Sequence, residues 1–307
     1  MDKILVFGHK SPDTDSICSA LVKTILDKKK NGVEHIPARL GNIGKETQYV
    51  LDYLNLDAPM LLENIEEGQE VILVDHNEFC QSVDGIEKAK IIGVIDHHRI
   101  SGFQTAEPLY YTARPYGCTC TILYNMFKDS NIEIEKTEAV LMASAIISDT
   151  LLLKSPTTTK KDVEALENLA KIANININEY GLDMLKAGTD LSDYSAEEIL
   201  NIDAKCVDIK GTNAKIAQVN TVDIQDVLKN QTALETAINN SISSENLDLF
   251  MFAVTDIVNS NSEALVLGKR SDIVEKAFNA KLENNRIFLP GVVSRKKQIL
   301  PVLQENV

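Results

Sequence analysis

Lys3-Ile-Leu-Val-Phe-Gly-His9-Lys-Ser-Pro-Asp13-Thr-Asp15 is the stretch that decides the fold. Its apolar start reads as a buried strand, and the strand delivers one imidazole and two carboxylates into the loop that follows. The next segment, Ser16 to Lys30, reads as a helix with Ile17, Ala20, Leu21 and Ile25 on one face. Strand, polar loop, helix is the start of an open parallel α/β sheet, where ligands bind at the carboxyl ends of the strands. Three metal-capable side chains at such an end predict a divalent-cation site.

Two further strand ends carry the same chemistry. Glu70-Val-Ile-Leu-Val-Asp75-His76 is a short β-branched run that ends in an acid, and Lys90-Ile-Ile-Gly-Val-Ile-Asp96-His97-His98 ends in an acid and two imidazoles. Four of the 5 histidines therefore fall just past predicted strands. His35, in mid-strand, reads as structural. Asp149 sits near the end of a helix-like run from Thr137 to Leu153, among Ile146, Ile147, Leu151, Leu152 and Leu153. A carboxylate buried there stays ionised only with a partner, and a metal ion is one of few that serve. The competing reading makes Asp13 and Asp15 ordinary caps of the following helix.

Outward from these motifs, strands are expected near 3–8, 33–40, 70–75, 90–95 and 107–112, with helices near 15–30 and 44–55. The alternation indicates an N-terminal, mainly parallel sheet flanked by helices on both faces. Helices are expected at 117–128, 137–152, 159–173 and 177–187. The polar run Ala187-Gly-Thr-Asp-Leu-Ser-Asp-Tyr194 precedes a helix-start signal, Ser195 with Glu198. The predicted division is a metal-binding domain over 1–187, a hinge over 188–194 and a smaller α/β domain with a mixed sheet over 195–307. In the last, strands are expected near 204–210, 214–221, 248–257 and 263–268, and helices near 223–243 and 271–279.

Composition narrows the function classes. At 307 residues the chain has room for about two domains. A net charge of −14 argues against a nucleic-acid surface, which needs Lys and Arg against phosphates. It does not argue against a small phosphate substrate, because bound cations invert the field of a carboxylate cluster. No segment has the ~20 apolar residues that span a bilayer, and no signal-peptide pattern precedes the first strand. The 5 cysteines (18, 80, 118, 120 and 206) lack metal-ligand spacing and read as reduced thiols of a cytoplasmic protein.

Together, His9-x3-Asp13-x-Asp15, Val74-Asp75-His76, Asp96-His97-His98 and Asp149 resemble the motifs of the DHH phosphoesterase superfamily. Ser294-Arg295-Lys296-Lys297-Gln298 resembles the signature of one branch, the family II manganese-dependent inorganic pyrophosphatases. The resemblance runs from residue 3 to about 300. It implies hydrolysis of pyrophosphate to two phosphates by a hydroxide shared between two metal ions. It places His9, Asp13 and Asp75 on one ion and Asp15, Asp75, His97 and Asp149 on the other, with Asp75 as the bridge. Two Mn²⁺ per subunit fit this mixed N/O set, with Co²⁺ or Mg²⁺ as substitutes.

The resemblance also makes His98, Lys205, Arg295 and Lys296 the catalytic and substrate-binding groups. Carried on a separate domain, the last three imply closure on the substrate, with an additional Mg²⁺ or Mn²⁺ arriving alongside it. A homodimer through the N-terminal domain is implied as well. Asp96 is expected to orient a metal-bound histidine, His76 to give support, and Lys297 to point away from its neighbours on an extended segment. The rivals are a phosphodiesterase on short oligonucleotides or cyclic dinucleotides, an exopolyphosphatase, and a non-catalytic phosphate or metal sensor. The first would carry a glycine-rich histidine motif where this chain has Leu289-Pro-Gly-Val-Val-Ser-Arg-Lys-Lys-Gln298. The sensor would require a damaged ligand set.

Overall fold

The computed structural model describes residues 4–305, and Lys3, the expected start of the first strand, lies outside them. Contacts divide the chain after Gly188. The first unit runs β1 (Leu5–Lys10), α1 (Thr14–Asn31), β2 (Ile36–Leu40), α2 (Lys45–Leu54), β3 (Met60–Leu61), β4 (Glu70–Val74), β5 (Lys90–Asp96) and β6 (Tyr110–Ala113). Four helices follow: α3 (Thr119–Asp129), α4 (Lys136–Thr150), α5 (Lys160–Ala173) and α6 (Ile177–Gly188). The strands form one parallel sheet in the order β3-β2-β1-β4-β5-β6. The chain winds outward from β1 to β3, returns to β4, and winds outward the other way. The crevice between β1 and β4 is therefore the topological switch point, where such sheets bind ligands.

Val6, Phe7, Val71, Leu73 and Val74 are fully buried, as expected of strands covered on both faces. One face does not carry the expected helix. Leu5, Phe7, Val71 and Leu73 pack there against Phe79, Val83, Ile86 and Phe103 from short 3₁₀ turns and loops. The connection from β4 to β5 is broken into two 3₁₀ turns, Phe79–Gln81 and Ile86–Lys88, in place of an α-helix.

The second unit comprises α7 (Ala196–Asn201), β7 (Ala204–Ile209), β8 (Thr212–Thr221), α8 (Ile224–Leu228), α9 (Gln231–Ser244), β9 (Leu249–Asp256), β10 (Asn261–Leu267), α10 (Asp272–Phe278), β11 (Arg286–Pro290) and α11 (Leu300–Glu305). Its mixed sheet has the order β11-β10-β9-β8-β7, with β8 and β9 the parallel pair. All 8 residues of central β9 are buried.

Four local differences from the sequence reading have physical causes. The helix expected at 223–243 is two, because Asp223 caps α8 through the Gln225 N–H and the chain restarts after Asn230. β11, α11 and two-residue β3 went unpredicted, being too short for a periodic signal. The helix expected to run to 152 stops at Thr150, and Leu151, Leu152 and Leu153 take φ of 48°, 54° and 65°. Each left-handed leucine costs about 1–2 kcal/mol, which packing must offset. Arg295–Ile299, expected to be extended, is a π-helical turn capped by Ser294.

Fully buried Asp162 joins two helix starts. It closes the capping box of α5 with Thr159, and its carboxylate accepts from Gly117 N at 2.9 Å and Thr121 Oγ1 at 2.6 Å ahead of and within α3. Asp162→Ala strands these donors, so the metal-free protein should lose about 3 kcal/mol or more in urea unfolding. A loss under about 1 kcal/mol would mean that water replaces the carboxylate.

Candidate metal centre

The site gathers at the carboxyl ends of β1, β4 and β5. Gly8 lets β1 pass close to α1: a Cβ there would stand 1.8 Å from Ser16 Oγ, which accepts instead from His9 N at 2.8 Å. The imidazole that follows faces two carboxylates, with Nε2 3.4 Å from Asp13 Oδ2 and 3.5 Å from Asp75 Oδ2. Across Asp75, His97 Nε2 lies 3.4 Å from Asp75 Oδ1 and 3.8 Å from Asp149 Oδ2. His9–Asp13–Asp75 and Asp15–His97–Asp149 each offer ligand atoms within 4.8 Å of one another. All six expected ligands are thus brought together, and Asp75 stands between the two groups. Capping and clustering coexist at Asp13, whose Oδ1 accepts from Ser16 N while Oδ2 faces His9.

Hydrogen bonds select the histidine tautomers. A carbonyl only accepts, so His9 Nδ1 donates to Lys10 O at 2.8 Å and His97 Nδ1 donates to Tyr116 O at 3.0 Å. Both Nε2 atoms are left facing the carboxylates, where each carries a proton that a bound cation would displace, the arrangement of metal-binding histidines. Asp96 differs from its expected role: its Oδ1 accepts from His98 Nδ1 at 2.9 Å and His98 N at 3.0 Å. Asp96 orients His98 and leaves His97 to a backbone carbonyl. His76 is buried, with its nitrogens 2.9 Å from Val74 O and 3.1 Å from Ser82 Oγ, in a supporting position. His35 lies apart, 2.9 Å from Asp27.

The electrostatics are those of crowded carboxylates. Burial and the neighbouring Asp75 push Asp15 up to about 6, and burial with Asp15 pushes Asp149 well above the usual range. Burial alone would lower the histidines, but Asp13 and Asp75 raise His9 to about 11, and Asp75 and Asp15 raise His97 to about 9. Asp75 Oδ2 and Asp149 Oδ2 are buried and accept no hydrogen bond. Orphaned oxygens of this kind are costly, and the donor set fits divalent cations.

Sequence reasoning gave α3 no part in the site. Its N-terminus grips Asp15 through Thr119 N at 2.6 Å and Cys120 N at 3.1 Å, and Thr119 Oγ1 reaches Asp75 Oδ1 at 3.1 Å. Backbone donors leave no side-chain motif; the start of a helix at small polar residues was the only available signal. In the second unit, Lys205 lies exposed on β7 and Lys296 and Lys297 are exposed on the π-helical turn. Arg295 forms a two-point pair with Asp203 at 2.7 and 3.3 Å, and its backbone N–H donates to Gln218 Oε1 at 2.8 Å.

A switch-point cluster of His and Asp on a parallel sheet, followed by a smaller mixed-sheet unit, has counterparts among known proteins over both units. Residues 3–146 match the DHH family, N-terminal domain, and residues 182–306 match the DHHA2 domain. The manganese-dependent inorganic pyrophosphatase of Bacillus subtilis (strain 168) is 54% identical over 306 residues, which is 99% of each chain. A protein of Brevibacillus brevis, named a probable enzyme of that kind, is 55% identical over 100% of this chain and 99% of its own. Among solved structures, a Methanococcus jannaschii protein assigned to family II inorganic pyrophosphatases superposes with TM-score 0.62 at 42% identity, covering 98% of both chains. This chain belongs to the family of manganese-dependent inorganic pyrophosphatases.

Proposed function

We propose that the protein hydrolyses inorganic pyrophosphate to two phosphates, with two manganese ions held at the strand ends and basic side chains of the second unit holding the substrate. The carrying observation is the position of Asp75, whose two oxygens face His9 at 3.5 Å and His97 at 3.4 Å. A carboxylate so placed suits a bridge, with His9 and Asp13 completing one ligand set and Asp15, His97 and Asp149 the other. Cobalt or magnesium are substitutes. When bound, such a pair lowers the pKa of water towards neutrality and opposes the charge of the phosphates.

The chain's own groups bind and orient. Arg295 offers a planar fork to phosphate oxygens, while Lys205 and Lys296 add point charges against the charge that builds on the leaving phosphate. His98, fixed through Nδ1 by Asp96, presents Nε2 to the substrate as a hydrogen-bond or proton donor. Residues 188–194 serve as the hinge between the domains at 1–187 and 195–307, and the division of contacts after Gly188 supports this. Closure brings the basic groups to the strand ends and excludes water. The substrate would be pyrophosphate as its magnesium or manganese complex.

We also read the chain as a cytoplasmic homodimer with no nucleic-acid or membrane partner. The net charge of −14, the five free cysteines and edge strand β6 support that reading. Among the described residues, no helix is long and apolar enough to cross a membrane.

The test strips the protein with chelator, restores manganese, and follows phosphate release from pyrophosphate, long-chain polyphosphate and a dinucleotide. Turnover should vanish on chelation and return with manganese, with pyrophosphate favoured by about 100-fold or more, or ~2.7 kcal/mol in the barrier. Preference for the dinucleotide would instead make the chain a phosphodiesterase.

A further inference from the structure

Glu46, in the first turn of α2, belongs to no motif and is not among the clustered ligands, yet it touches both ligand-bearing segments. Its Oε1 accepts from Thr14 Oγ1 at 2.6 Å and from Ser148 Oγ at 2.5 Å. Thr14 lies between Asp13 and Asp15 at the start of α1, and Ser148 immediately precedes Asp149 near the end of α4. One oxygen of a third helix therefore ties together the two chain segments that carry three of the clustered carboxylates.

The surroundings hold that oxygen in place. Thr14 is 1% exposed, and its hydroxyl also lies 3.1 Å from Thr47 Oγ1, from the same turn of α2. Gly188, the last residue of α6, closes over the Glu46 side chain: a Cβ at 188 would stand 2.9 Å from Glu46 Cβ and 3.0 Å from its Oε2. The tie is also not the default use of a helix hydroxyl. Ser144, one turn earlier in α4, bonds back to Val140 O at 2.7 Å, whereas the Ser148 hydroxyl goes to Glu46.

We infer that Glu46 is a positioning residue: by holding Thr14 and Ser148 on a single oxygen it fixes the spacing of Asp15 and Asp149, and so the affinity of the ion they share with His97. Glu46 is not among the grouped ligand atoms and acts through the hydroxyls it holds. The inference rests on the proposed assignment of Asp15, His97 and Asp149 to one ion, and the controls separate the two claims. Groups that brace metal ligands from behind are worth about 10–100-fold in affinity.

Manganese binding to the chelator-stripped full chain is titrated by calorimetry, with Glu46→Ala, Glu46→Gln, Glu46→Asp and Asp149→Ala beside the unaltered protein, and each metal-free melting temperature is recorded. Glu46→Ala should weaken one of two ions about 10–100-fold and leave the other within about threefold. Its metal-free melting temperature should stay within a few degrees. Glu46→Gln keeps a carbonyl oxygen at the same reach and should restore binding. Glu46→Asp, one methylene shorter, should behave as the alanine variant does.

Equal affinity for both ions in the alanine and aspartate variants would overturn the inference. So would equal weakening of both ions together with a large drop in the metal-free melting temperature, which marks a purely structural role. Should the alanine variant fail to fold, the contrast between glutamine and aspartate decides: wild-type affinity in Glu46→Asp overturns the inference. If Asp149→Ala binds two ions as tightly as the unaltered chain, the ligand assignment itself falls.

Discussion

Asp75→Asn should lower pyrophosphate turnover on the order of 10⁴-fold and reduce manganese from two ions per chain to about one. The substitution preserves size, and Asn tolerates the left-handed backbone that Asp75 adopts at φ 59°. What it removes is the charge. Burial alone would push the Asp75 carboxyl up, yet His9 and His97 pull it well below the usual carboxylate range. In asparagine one of the two terminal atoms becomes an NH₂ that cannot bind a cation, so one of the two facing clusters loses its shared ligand. The thermodynamic scale follows from the several kcal/mol of transition-state charge stabilisation that a metal centre supplies, about 5.5 kcal/mol for four decades. Metal content by atomic emission and phosphate release give the two readings. An Asp75→Asn protein that retained both ions at full affinity would remove Asp75 from the bridge.

Asp75 was legible in the sequence because it ends an apolar strand, and strand ends are where a doubly wound sheet gathers its ligands. The same reasoning located His9, Asp13, Asp15 and His97. Asp149 was legible through its cost, as a carboxylate among isoleucines and leucines. The parallel sheet and the mixed second sheet followed from alternation and chain order, and the structure has both.

Other features were hidden for identifiable reasons. Asp96 is adjacent to two histidines, and nothing in Asp96-His97-His98 says which ring turns back to it; backbone direction at the end of β5 gives it His98. Thr119 and Cys120 hold Asp15 with amide N–H groups, which every residue but proline possesses. Glu46 lies about thirty residues from one hydroxyl it accepts and about a hundred from the other, so only the folded chain relates them. The left-handed turn at Leu151–Leu153 runs against the preference of leucine, and local propensity could not signal it.

Arg295→Ala should leave manganese at two ions per chain while lowering kcat/KM for pyrophosphate about 10²–10³-fold, the scale of deleting one well-aimed donor to developing phosphate charge. The separation of effects follows from the fold. Arg295 belongs to the second unit, where Gln218 fixes its backbone and Asp203 its side chain, and the clustered His and Asp ligands all belong to the first. Stability should change little. The Asp203 carboxylate is 55% exposed and the Arg295 side chain 14%, so the pair should contribute about 1 kcal/mol, well short of a fully buried one. Arg295→Lys should recover only a minor part of the loss, because an ammonium supplies charge without the two-point fork that Arg295 already offers to Asp203. Michaelis–Menten kinetics of both variants, with metal content measured on the same samples, distinguish the roles. Loss of manganese in the alanine variant, or full turnover in the lysine variant, would show that Arg295 does not act by gripping phosphate.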